Sequence, residues 1–213
     1  LILVPDALVN QWFIELYRRF ALSFAIFDEE RAASIESGAL ADDPDKPVNP
    51  FFDDQMILCA TSWIASHPHR AAQAAAGEWD LTIVDEAHHL EWSVESASPE
   101  YAAVEAIARH SAGLLLLTAT PEQLGREGHF ARLRLLDPAR FSDLDTFIRE
   151  SENYRSISDL ADRLRGDKKL TAKELKSIAT LLGKETASQL KEDDTPARRD
   201  ACRHALIDLH GPG

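Results

Sequence analysis

Two adjacent carboxylates, Asp85 and Glu86, followed by Ala87 and His88, close a short apolar run, Trp79-Asp80-Leu81-Thr82-Ile83-Val84. A brief apolar run bounded by charge reads as a buried strand. In open α/β folds ligands bind beyond the carboxyl ends of the strands, so the acids stand where a ligand would lie. The pair suits a magnesium nucleotide. Asp85 can hold Mg2+ through its waters, and Glu86 can orient or deprotonate an attacking water. At average residue usage this tetrapeptide arises by chance in a chain this long roughly once in a thousand sequences. The plainer alternative for Asp85 is a strand-end carboxylate that caps the next turn.

A second apolar run, Leu114-Leu115-Leu116-Leu117, leads into Thr118-Ala119-Thr120-Pro121. Its hydroxyls would emerge at the same sheet edge as Asp85. Thr118 and Thr120 could switch hydrogen bonds there, although threonine is also an ordinary strand residue.

The elements that must position these groups alternate. Residues 1–4 read as a strand. Asp6 caps a helix to about residue 20, with Leu8, Trp12 and Leu16 at helical spacing. Residues 23–27 form a second strand. Residues 28–54 are acidic, contain Pro44, Pro47 and Pro50, and read as a long loop with a helical turn near 31–37. A third strand over 56–60 precedes a helix over 63–75. The strand ending at Asp85 comes next, then a helix opened by Ser98-Pro99, then a strand over 113–117. Strands alternating with helices imply a parallel sheet.

After Pro121 only helices are predicted. One spans 125–136, and Ser142 caps another over 143–151. Thr171-Ala172-Lys173-Glu174 is a capping-box pattern for a helix stopped by Gly183, and Thr195-Pro196 opens a last helix ended by Gly211.

Asp85-Glu86-Ala87-His88 and Thr118-Ala119-Thr120-Pro121 together resemble motifs II and III of superfamily 2 helicases and translocases. Leu1-Ile2-Leu3-Val4-Pro5, with Leu8, Gln11 and Trp12, is similar to motif Ia of the Swi/Snf-type ATPases, and Thr61-Ser62 to motif Ib. The segments 85–93, 117–125 and 129–138 resemble the bacterial RNA-polymerase-associated branch of that family. Ala119 and Glu122-Gln123-Leu124 depart from the Thr-Gly-Thr-Pro and Leu-Gln-Asn pattern of eukaryotic members and favour this branch.

The resemblance implies an α/β fold: a RecA-like parallel sheet with flanking helices over residues 1–138, an incomplete P-loop NTPase lobe, followed by a small all-helical spacer or insertion over 139–213. It implies ATP and Mg2+ as cofactors. Catalysis would fall to Asp85 and Glu86, and coupling of the nucleotide to motif III to His88, Thr118 and Thr120. Pro5, Gln11, Thr61 and Ser62 would contact a phosphate backbone, with turn and cap chemistry as the alternative. The family's phosphate-binding loop, ending Gly-Lys-Thr or Gly-Lys-Ser, does not occur. Gly183-Lys184-Glu185 lacks the hydroxyl and follows no strand. The chain opens inside a strand without Met, so it is expected to be a fragment that begins after that loop and ends before the second motor lobe with its arginine finger.

The 213 residues can bury a substantial core, and no apolar stretch approaches the ~20 residues needed to span a bilayer. No signal peptide is visible. Cys59 and Cys202 are expected as thiols, without a disulfide framework. His67 and His69 flank Pro68 with no cysteine pair at zinc spacing. The net charge of −13 is the wrong sign for a nucleic-acid platform. It is expected to reside in acidic loops and solvated helix faces, or to be balanced by DNA-binding charge elsewhere in a longer protein; the alternative is an acidic face that avoids non-specific DNA or docks a basic partner surface.

The expected parent is a bacterial, cytoplasmic, nucleoid-associated ATPase that translocates on duplex DNA, with RNA as a further possibility, and remodels RNA polymerase complexes. The fragment alone is expected not to turn over. Two alternatives stay open: another superfamily 2 motor, such as a restriction-system translocase, and a non-catalytic interaction module with a helicase-like fold.

Overall fold

The computed structural model describes residues 1–42, 48–119, 125–166 and 169–210. Thr120, Pro121 and Glu122-Gln123-Leu124 lie outside the described residues, as does Gly211. Contacts divide the chain into two compact units, Leu1–Ser142 and Asp143–Gly213.

The first unit is built on five parallel strands, β1 (Ile2–Val4), β2 (Ala25–Phe27), β3 (Ile57–Ala60), β4 (Thr82–Val84) and β5 (Leu114–Leu116), in the order β2-β3-β1-β4-β5. β1 and β3 are central and entirely buried, which is why they read as unbroken apolar runs. Successive side chains point to opposite faces. Ile2 and Val4 meet α1 (Val9–Phe20) through its Val9, Trp12, Phe13 and Leu16. Leu1 and Leu3 join the opposite core with Cys59, Ile64, Val84, Tyr101 and Ile107. Among the described residues β5 pairs with β4 alone, and Leu115 keeps 44% of its surface exposed.

The structure corrects the element reading in four places. Asp6 does not cap α1. It lies in a 3-10 turn, Asp6–Leu8, whose cap residue is Pro5. Residues 28–54 are not mainly loop: α2 runs over Glu29–Asp42, started by Asp28, whose carboxylate accepts the Arg31 N–H at 2.9 Å. The prolines that suggested a loop all follow its last residue. The helix expected over 63–75 is two, α3 (Thr61–Ser66) and α4 (Pro68–Ala75). Pro68 forces its predecessor out of the helical region, and His67 sits at φ −125°, ψ 84°. Asp143, not Ser142, caps the helix that follows it, accepting from Thr146 N–H at 2.8 Å.

α2 is fastened to α4 by Arg70, whose side chain is 3% exposed. The guanidinium donates to both Glu29 oxygens, at 2.6 and 3.1 Å, to Glu36 at 2.5 Å and to Gln73 at 2.9 Å. A buried charge needs this many partners to offset its lost hydration. α5 (Pro99–Ala108), capped by Ser98 as predicted, and α6 (Gly125–Leu136) complete the unit.

The second unit contains α7 (Leu144–Arg165), α8 (Ala172–Leu182), α9 (Lys184–Glu192) and α10 (Pro196–His210) around Ile157, Leu160, Leu164, Ile178, Leu190, Cys202 and Leu206. The capping box of Thr171 and Glu174 is formed as its sequence pattern predicts. Both cysteines are free and buried, and burial pushes the Cys59 thiol up to about 12. The acid excess belongs to the first unit. Residues 1–142 hold 22 acidic against 10 basic side chains, while residues 143–213 hold 14 against 13.

Candidate functional site at the carboxyl edge of β4 and β5

Three backbone hydrogen bonds fix where the chemistry-bearing residues leave the sheet. Asp85 N–H donates to Leu3 C=O at 2.9 Å, Leu117 N–H to Val84 C=O at 2.8 Å, and Ala87 N–H to Leu117 C=O at 2.8 Å. The end of β4 is thereby locked to β1 on one side and to the residue before Thr118 on the other. Asp85 and Glu86 stand directly beyond the carboxyl end of β4.

Both Asp85 oxygens are engaged. Oδ1 accepts the Glu86 N–H at 2.9 Å, and Oδ2 accepts the indole N–H of Trp12 at 2.8 Å. The sequence marks Trp12 in the apolar stripe of α1 and in the motif Ia resemblance, but not in this contact. Its polar contact joins residues 73 positions apart, and no local pattern marks it.

Glu86 has a left-handed backbone, φ 50° and ψ 44°, and opens the 3-10 turn Ala87–His89. A non-glycine residue held there stores strain, a trait that clusters at functional sites. Its Oε2 lies 3.0 Å from His88 Nδ1, and the same nitrogen is 3.4 Å from Thr118 Oγ1. Glu86 and Thr118 therefore both approach one imidazole nitrogen, which can hydrogen-bond to only one of them at a time, and Glu86 Oε2 lies buried beside it without a hydrogen bond among the described residues. Thr120, grouped with them from sequence, falls outside the described residues.

Pro5, Thr61 and Ser62 come together on the β1–β3 side of Asp85, lining a cavity of about 390 Å3 that Asp85 and Glu86 also line. Gln11 is exposed on the first turn of α1 and is not among the lining residues. The Thr61 hydroxyl donates to Val4 C=O at 3.3 Å, and the Ser62 hydroxyl donates to the Asp6 carboxylate. Among the described residues, Asp6, Glu91 and Glu100 bring the lining carboxylates to five, with no lysine or arginine beside them. That field favours a cation and opposes a bare phosphate.

Magnesium fits Asp85. Mg2+ keeps several waters and is held by one or two carboxylates plus substrate phosphates. Each Asp85 oxygen uses one acceptor position on an N–H and retains another for a coordinated water. Among the described residues no three His, Cys, Asp or Glu side chains converge on a metal-binding point.

One support was missed in the sequence. Trp92 packs on Phe130 and Tyr101, with ring centroids 5.4 and 6.4 Å away, and Arg134 lies 5.3 Å over its ring. The Tyr101 hydroxyl donates to Ala131 C=O at 3.1 Å. The segment after His88 is thus packed on α6, the helix that follows the Thr118 strand end.

The SNF2-related domain family matches residues 1–204. The RNA polymerase-associated protein RapA of Haemophilus influenzae (strain PittEE) is 46% identical over 221 aligned positions, covering all of this chain and 23% of that protein. The RNA polymerase-associated protein RapA of Actinobacillus succinogenes is 44% identical over 218 positions, covering 99% of this chain and 22% of that protein. The chain therefore spans less than a quarter of the length of these relatives.

Proposed function

Because the chain belongs to the SNF2-related domain family, within the Swi/Snf-type branch of helicase superfamily 2, we propose that it forms part of an ATP-dependent, nucleic-acid-stimulated translocase on duplex DNA that remodels RNA polymerase complexes. The observation that carries this reading is the meeting of Glu86, His88 and Thr118 at one nitrogen, beside a carboxylate with acceptor positions for a hydrated cation. Identity of 44–46% to two RapA proteins over essentially the whole chain favours the polymerase-associated branch over a restriction-system motor. The intact Asp85-Glu86 pair favours turnover over a non-catalytic module.

Mg2+, when bound, neutralises charge on the β- and γ-phosphates. Asp85 would hold it through water. Glu86 would orient the attacking water and accept its proton as the water oxygen bonds to the γ-phosphorus. The β–γ bridging oxygen would leave with ADP. His88, touching both Glu86 and Thr118, would report the state of the γ-phosphate to β5. Thr120 is assigned to the same coupling role. Pro5, Gln11, Thr61 and Ser62 form the proposed edge toward the polynucleotide, with Ser62 exchanging Asp6 for a phosphate oxygen. The phosphate-binding lysine and the arginine that such chemistry requires are assigned to other parts of the longer protein, and residues 139–213 to a helical spacer. The protein would work in the cytoplasm beside the nucleoid.

The test uses the longer protein that carries this sequence. Duplex DNA should stimulate phosphate release from ATP, and Glu86→Gln should lower the stimulated rate at least about a hundredfold. A wild-type protein without turnover would sink the motor reading. Capture of RNA polymerase core from purified components separates the polymerase-associated reading from other motors.

A further inference from the structure

The bond from Trp12 to Asp85 joins two parts of the first unit that the Glu86–His88–Thr118 meeting leaves unconnected. We infer that Trp12 is a positioning residue: its indole N–H holds Asp85 in the orientation that receives a hydrated cation, and α1 carries displacement of the Pro5–Gln11 edge to that carboxylate. The inference rests on the magnesium role proposed for Asp85.

The Oδ1 bond comes from the adjacent backbone N–H and by itself leaves Oδ2 free to swing. The 2.8 Å indole bond removes that freedom. It lies within the short range of hydrogen bonds to ionised acceptors. The donor type matters as much as the distance. Lysine or arginine at this point would place a positive charge beside the cation's site. Indole donates one hydrogen, accepts none and stays neutral, so it orients the carboxylate without neutralising it.

The placement of Trp12 supplies the second half of the inference. It follows Gln11 directly and lies in the first turn of α1. Below it, Val9, Phe13 and Leu16 pack against Ile2, Val4 and Leu58. The apolar side of the helix packs on β1 and β3, so a displacement of its first turn would carry the indole with it. A ligand that displaces Pro5 or Gln11 displaces the indole with them, and the indole is bonded to Asp85.

Two measurements test this. In the 213-residue chain, hydrogen exchange of the assigned Trp12 indole proton should be at least about tenfold slower in the wild type than in Asp85→Ala, as for a proton held by a protein acceptor. In the longer ATP-hydrolysing protein, Trp12→Phe keeps an aromatic ring and removes the donor. It should raise the Mg2+ concentration at half-maximal turnover about tenfold or more, the usual scale for losing a group that orients a metal-binding side chain. The melting temperature and the turnover at saturating Mg2+ should hold. Duplex DNA should lower the half-saturating Mg2+ concentration in the wild type and leave it unchanged in Trp12→Phe. An unchanged Mg2+ requirement in the variant overturns the inference, as does equal indole exchange with and without the Asp85 carboxylate. If Trp12→Phe melts early, the exchange comparison decides alone. A wild-type protein without ATP turnover counts against the proposed function, and the exchange comparison, which needs no ATP, still decides whether Trp12 holds Asp85.

Discussion

Glu86 Oε2 stands 3.0 Å from His88 Nδ1, and that nitrogen also faces Thr118. A single imidazole thus touches the residue proposed to handle the attacking water and the strand end proposed to move with it. His88→Ala should leave basal ATP turnover within about threefold of wild type and remove most of the DNA stimulation, because coupling and chemistry are separate losses. Phosphate release measured with and without duplex DNA checks this. A variant as strongly stimulated as wild type would remove His88 from the coupling path.

The Arg70 cluster makes the first unit acid-sensitive. Hydrogen bonding from Arg70 draws the Glu29 carboxyl from its ordinary 4.5 down to about 2, and holds Glu36 low as well. A depressed carboxyl stabilises the fold above its unfolded value and loses that contribution as pH falls through the folded one. Stability should therefore decline between about pH 4.5 and pH 2. The slope should shrink in Glu29→Gln. Urea unfolding at a series of pH values measures it, and an unchanged slope would dismiss the cluster as the cause. Glu29 is 43% exposed on its side chain, so the effect is expected to be modest.

Asp6 holds the Ser62 hydroxyl inside a cavity whose charged lining, among the described residues, is acidic. Asp6→Asn removes one negative charge and leaves the hydroxyl only a neutral, weaker acceptor. DNA affinity of the longer protein should rise about two- to fivefold at low salt, and the gain should fade as salt screens the site. Titration at two ionic strengths reads this out. A loss of affinity would show that Asp6 helps to build the DNA-facing edge.

In the second unit, Leu206 is fully buried among Ile157, Leu160 and Ile178. Leu206→Ala should cost about 2–5 kcal/mol, by lost transfer energy plus the cavity left behind. Chemical denaturation followed by helix content is the check. A cost under about 1 kcal/mol would mean that the unit is loosely packed.

Legibility from sequence followed the range of the interactions. The strand ending at Asp85 and the one ending before Thr118 were readable, because buried parallel strands concentrate apolar residues. The Ser98 and Thr171 caps were readable because they act within three residues. The two helices Thr61–Ser66 and Pro68–Ala75 were read as one, although Pro68 carried the needed signal. α2 is masked in the sequence because three downstream prolines outweigh its own helix formers. Trp12 meeting Asp85, and Trp92 meeting Phe130, were out of reach. Each depends on which strands become neighbours, and side-chain spacing along the chain says nothing about that.

The outer side of β5 has a practical consequence. Among the described residues β5 is paired on one side only, and such a strand offers a row of open amides and carbonyls, here carrying a half-bare Leu115. Two such rims from separate molecules can zip together, so crowding rather than warmth should govern how long solutions of this chain stay clear.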